Sequence, residues 1–147
     1  MLIISLYLLI LAAVLAKLEL QIEGNKLGWA ARLPCWKIEN NIFNWILGNK
    51  PLTGYHFWLL ITFFIIFHGQ FLFINWTLSQ EFYTLGYFSF FWVAEDWFWF
   101  LENSYYGLRN FKKGRIYWHR RWIFFLPVSY WGAIIIGIIL LLLGEIK

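Results

Sequence analysis

The chain has 147 residues, 61% of them hydrophobic and only 14% charged, where a soluble domain carries about 25% charged residues. With 24% aromatics, eleven Trp among them, and a formal charge of +4, it reads as one membrane domain over residues 1–147. Its bases abut apolar runs, which excludes nucleic acid as the partner, and the lone cysteine, Cys35, excludes an intramolecular disulfide or a CxxC site.

Residues 2–16, LIISLYLLILAAVLA, carry no charge. Continuing helically to Leu20 gives a first span over 2–20, close to the ~20 residues that cross ~30 Å of hydrocarbon. Val14 and Ala16 also suit a signal-peptide cleavage site, but no Lys or Arg precedes the apolar run, which favours an anchor. Segment 17–54 is too long for a turn and mixes Trp29, Trp36, Phe43 and Trp45 with charges. Within it, IENNIFNWILGNK spaces Ile42, Trp45 and Ile46 for an amphipathic helix in the interface. A second span covers 55–76 and holds His68, Gln70 and Asn75 in its far half. His68 is expected to bond a backbone carbonyl or a Tyr across the bundle, together with Gln70; a proton relay would need a second titratable group at its depth, and none is evident. After the short link TLSQ, a third span covers 80–101 and holds Ser89, Glu95 and Asp96. Segment 102–121 alternates aromatics with bases in NFKKGRIYWHRRW and is expected to lie against the headgroups. The fourth span, 127–144, is opened or kinked at Pro127, and its Gly132 and Gly137 suggest close packing at most.

The bases set the orientation. Lys17, Lys26, Arg32, Lys37 and Lys50 fall in the first long segment, and Arg109, Lys112, Lys113, Arg115, Arg120 and Arg121 in the second. Positive residues flank spans on the cytoplasmic side, so both segments are expected inside and both termini outside, in a multi-pass inner-membrane protein. The expected fold is all-α: a bundle of four transmembrane helices with interfacial cytoplasmic segments. Its expected partners are the bilayer, anionic lipid headgroups, and another membrane protein or a second copy of the chain.

Glu95 and Asp96 are the sharpest anomaly. A charge near the bilayer centre costs ~2.5–3.5 kcal/mol on insertion scales, so two adjacent acids call for partners or a function. On this topology they share one membrane layer with His56, His119, Glu102 and Glu23. Imidazole with carboxylate suits Zn, Fe or Mn, and helices that each present one or two ligands can build such a site. His56, Glu95, Asp96, Glu102, His119 and Glu23 are therefore the metal-ligand candidates, and Glu95 and Asp96 the candidate general bases. Arg109, Lys112, Lys113 and Arg115 could hold a lipid phosphate nearby. The leading expectation is a carboxylate and histidine site at the cytoplasmic interface that binds a divalent metal or a lipid headgroup. One alternative is an accessory subunit whose acids only clamp the basic loop. The other is a metal-dependent enzyme acting on a lipid-like substrate.

The segments EGNKLGWAARLPCW, KPLTGYHFW, EDWFWFLEN with YGL, and YWHRRW together resemble a group of small prokaryotic polytopic integral-membrane proteins, over most of residues 20–131. No activity, cofactor or site is established for that group, so the resemblance implies the fold class and nothing of the chemistry.

Overall fold

The structure, a computed structural model, describes residues 2–39 and 50–146, so the expected interfacial helix around Ile42, Trp45 and Ile46 lies outside the described residues. Among the described residues the protein is mostly helical, with four long helices and little sheet.

Helix α1, Leu2–Glu23, continues past the expected boundary at residue 20, so that Glu19 and Glu23 share one buried face. Gly24 stops it at φ 79°, a left-handed cap that glycine adopts without a Cβ clash, and its N–H donates to Leu20 O at 3.1 Å. A loop then leads to β1, Lys37–Ile38, which pairs antiparallel with β2, Leu52–Thr53. Thr53 caps α2, Gly54–His68, by accepting the His56 N–H. This helix ends earlier than the expected 76: it tightens into a 3₁₀ turn, Gly69–Leu72, and residues 73–77 are not helical.

Helix α3, Leu78–Glu102, is the central strut, with α1 and α4 (Val128–Glu145) packed along it and α2 touching it lightly. The α2 contact is aromatic, with Phe63 on Phe91 at 5.0 Å and Phe67 on Phe88 at 5.2 Å. Small residues set the α3–α4 approach. A Cβ on Gly86 would meet Leu141 at 2.8 Å, and one on Gly137 would meet Phe90 at 2.9 Å. The close packing suggested for this pair of glycines holds at Gly137, while a Cβ on Gly132 would meet nothing within 4 Å. Among the described residues, three helical stretches, Leu2–Glu23, Gly54–Leu72 and Val128–Glu145, are long and apolar enough to cross a membrane. Helix α3 is more polar, carrying Glu81, Glu95, Asp96 and Glu102.

The segment 102–121 folds back against the ends of α1 and α3. Tyr106, Ile116 and Trp118 are buried with Ala16, Trp99 and Phe100 in one cluster. Two of the segment's aromatics, Tyr106 and Trp118, enter the core, whereas Tyr105 and Tyr117 are exposed, as are Arg109, Lys112, Lys113 and Arg115. A short hairpin of β3 (Trp122–Ile123) and β4 (Leu126–Pro127) then feeds α4, with exposed Phe124 at its tip at φ 53°.

Candidate functional site

A cavity of about 270 Å³ lies where α1, α2, α3 and α4 meet the two folded-back segments. Glu19 and Glu23 reach it from α1, His56 from α2, Glu95 and Asp96 from α3, and Tyr130 from α4. Lys50 enters from the segment just before β2, and Trp29, Trp92, Trp99 and Trp118 supply aromatic walls.

Glu23 organises one side. Its Oε1 accepts the Ala30 N–H and lies 3.6 Å from His56 Nε2. Trp29 and Ala30 both hold positive φ, 60° and 49°, a conformation unfavourable for residues with a Cβ, so this turn persists because its surroundings hold it. Those surroundings are specific: Trp29 Nε1 donates to Pro51 O at 2.8 Å, and its ring stacks on His56 at 3.9 Å. Thr53 Oγ1 already accepts the His56 N–H, so its hydroxyl proton is available to His56 Nδ1, 2.7 Å away. With Nδ1 accepting, the single proton of the neutral imidazole sits on Nε2, facing Glu23.

Asp96 organises the other side. Its Oδ2 accepts from the Tyr130 hydroxyl at 2.6 Å and from His119 Nε2 at 3.1 Å. His119 is held by its backbone, its carbonyl accepting from Trp122 Nε1 at 2.6 Å. Burial, aided by the charge of Lys50, holds the His119 imidazole below its ordinary range, although Asp96 pulls the other way. A neutral imidazole with Nε2–H toward Asp96 satisfies this geometry.

Between these sides the Glu19 and Glu95 carboxyls face each other, with the Tyr55 hydroxyl beside Glu19. Two ionised carboxylates so placed repel, and a shared proton or an inserted cation relieves the contact. Among the described residues, Glu19 Oε1, Glu95 Oε1 and the indole N–H groups of Trp92 and Trp99 find no hydrogen-bond partner. Trp99 is 3% exposed, so its donor is withdrawn from water as well. The Lys50 ammonium lies 3.8 Å above the Trp29 ring, a cation–π contact. Burial brings the Lys50 amine down to about 8, against the pull of Asp96, Glu95 and Glu23.

Of the six expected ligands, Glu23, His56, Glu95 and Asp96 line the cavity, and His119 stands behind Asp96. Glu102 does not join them: it pairs with the exposed Lys17 at 3.5 Å. His56 pairs with Glu23 and His119 with Asp96, and among the described residues no three His, Cys, Asp or Glu side chains gather as a metal site would require. Arg109, Lys112, Lys113 and Arg115 do not line the cavity. The sequence reading missed Glu19, Lys50, Tyr130 and the four tryptophans. Only Glu19 had a signal, its i, i+4 spacing to Glu23 once α1 is carried past Lys17.

At the opposite end of α2, His68 Nδ1 donates to Phe64 O at 2.7 Å, a carbonyl of its own helix and not one across the bundle. A titratable partner exists as well: Glu81, from the first turn of α3, lies 2.9 Å from Nε2 and also accepts from Trp76. Gln70 donates to Thr84 rather than to His68. No family model, curated protein or solved structure matches the chain, so the resemblance read from its sequence shows no family, and the site rests on its own geometry.

Proposed function

We propose that this chain is a polytopic inner-membrane protein whose acid-lined, tryptophan-walled cavity binds the headgroup of an amphiphile, one that carries an ammonium group beside an oxygen acceptor. The lining carries the reading. Glu19, Glu23, Glu95 and Asp96 face a space walled by Trp29, Trp92, Trp99 and Trp118. Carboxylates and indole faces attract the same charge, and aromatic cages of this kind suit alkylated ammonium groups. Lys50, over the Trp29 ring, is an ammonium already held in that way. The buried Trp99 N–H asks for an oxygen acceptor, which a bare metal ion would not offer.

The four-span arrangement is part of the proposal. The distribution of Lys and Arg supports it, as does the length of α3, whose 25 residues exceed the ~20 that a span needs. On that arrangement both termini are outside, the cavity opens near the cytoplasmic interface, and the turn bearing Arg109, Lys112, Lys113 and Arg115 meets anionic headgroups around it.

Choline, a water-soluble ammonium alcohol, tests the site. Titrated into the protein in nanodiscs, it should change tryptophan emission saturably, and Glu95→Gln should weaken the response several-fold. Glycerol should give none. A parent protein indifferent to choline, or equally responsive to glycerol, removes the ammonium reading. Saturable binding of Zn, Fe or Mn, reversed by chelator and lost in Glu95→Gln, would favour the metal instead.

A further inference from the structure

A second concavity, larger and almost wholly apolar, runs along α3 between α1 and α4, with a volume of about 770 Å³. Leu8 and Leu9 line it from α1, Ala94 and Phe98 from α3, and Ile134 and Leu141 from α4. It exists because α1 and α4 pack on either side of α3 rather than on each other. A groove between apolar helices is ordinarily filled by whichever lipid chain is nearest, since hydrocarbon is as apolar as leucine.

This groove differs in where it leads. Val93 and Tyr130 line both it and the acid cavity, so the two spaces share a wall. Tyr130 marks the boundary: it lines both spaces, its hydroxyl donates to Asp96 at 2.6 Å, and its ring packs against Phe111 and His119. An amphiphile needs such a junction, with charge recognised on one side of a single residue and hydrocarbon on the other.

We propose that the groove receives the hydrocarbon chain of the same molecule whose ammonium headgroup occupies the cavity, making the ligand a single-chain cationic amphiphile. The inference rests on the headgroup reading above and extends it to the tail. The ligand enters sideways from the bilayer between α1 and α4, and its headgroup moves past Tyr130 to the carboxylates.

Affinity against chain length would be a poor test, because the chain gains nothing on leaving the bilayer for the groove. Location is the better readout. An alkyl-trimethylammonium probe with a diazirine in mid-chain, and an alkyl sulfate probe of equal length, are photolysed with the protein in nanodiscs, and labelled residues are mapped by mass spectrometry. The ammonium probe should label Leu8, Leu9 and Ile134 several-fold more than the outward-facing Ile3 and Ile139. Excess unlabelled dodecyltrimethylammonium should suppress that labelling, and the sulfate probe should not reproduce it. Ala94→Phe should move the labels out of the groove while leaving the choline response intact. Leu9→Trp is a second block, at a half-exposed position of α1 that tolerates size, should Ala94→Phe fold poorly.

Labelling spread evenly over the lipid-facing surface, or the same pattern from the sulfate probe, overturns the tail assignment. A retained choline response then leaves the headgroup reading standing. Loss of the choline response in the parent removes the headgroup reading and this one with it.

Discussion

Replacing Lys50 with methionine should stabilise the protein at neutral pH. The side chain is 5% exposed, and burial lowers its amine from 10.5 to about 8 despite the nearby carboxylates. That drop of about 2.5 units, at 1.36 kcal/mol each, is a cost of ~3 kcal/mol for holding the ammonium in the folded state. Lys50→Met keeps the apolar stem and removes the charge, so unfolding at pH 7 should become harder by up to ~3 kcal/mol, less whatever water and neighbouring groups already relieve. The pH dependence carries a sign. Between about 8 and 10.5 the unfolded chain holds a proton on Lys50 that the folded chain has lost, so parent stability rises with pH across that window relative to the variant. The parent's deficit should thus be greatest below pH 8 and close by about 10.5. Tryptophan-monitored denaturation of both proteins in the same detergent, at pH 7 and at pH 10, measures it. A variant less stable at pH 7, or a deficit that does not change with pH, would refute the reasoning: the ammonium would then be a net stabilising partner of the acids.

Lys50→Met should also bind choline more tightly than the parent at pH 7, by titration calorimetry, because a competing ammonium leaves the Trp29 ring. Trp99→Phe keeps the ring but loses the indole donor, so it should weaken choline more than tetramethylammonium; equal losses would assign Trp99 to packing alone. Gly137→Leu forces side-chain bulk against Phe90 and should cost roughly 1–3 kcal/mol by the same denaturation assay, whereas Gly132→Leu, where a Cβ meets nothing within 4 Å, should cost far less. Cys35 is the sole cysteine and half-buried, so a membrane-impermeant maleimide should label it in inside-out vesicles and not in right-side-out ones; the reverse pattern inverts the proposed orientation.

Length and hydropathy made the long helices legible, because a run such as LIISLYLLILAAVLA has no other stable arrangement in a bilayer. Helix ends were less legible. The first helix runs on to Glu23 because Glu19 and Glu23 face protein rather than lipid, and an apolarity window counts them as termination. The 55–76 stretch kept its apolar composition while its backbone tightened at Gly69, a change that composition does not register. Glu95, Asp96, His56 and Glu23 were found because each is anomalous where it stands. Trp29, Trp99, Trp118 and Tyr130 were not, since in a chain so rich in aromatics a ring lining a cavity has the same local context as one facing lipid. The pairing of Glu102 with Lys17 and of Glu81 with His68 depends on helix rotation, which one sequence leaves undetermined.

Asp96 and its partners are also separated in time. Its hydrogen-bond donors lie 23 and 34 residues further along the chain, at His119 and Tyr130. On the proposed four-span arrangement, α3 reaches the membrane during synthesis while those donors have yet to emerge from the ribosome. Of the charged groups around the cavity, only those before α3, such as Glu19, Glu23, Lys50 and His56, can meet its acids at that stage. A nascent chain cut before residue 119 would carry an acidic helix without its anchor, and it should be a ready target for membrane proteolysis. On that arrangement, completion of the last helix is what first gives Asp96 both of its hydrogen-bond donors.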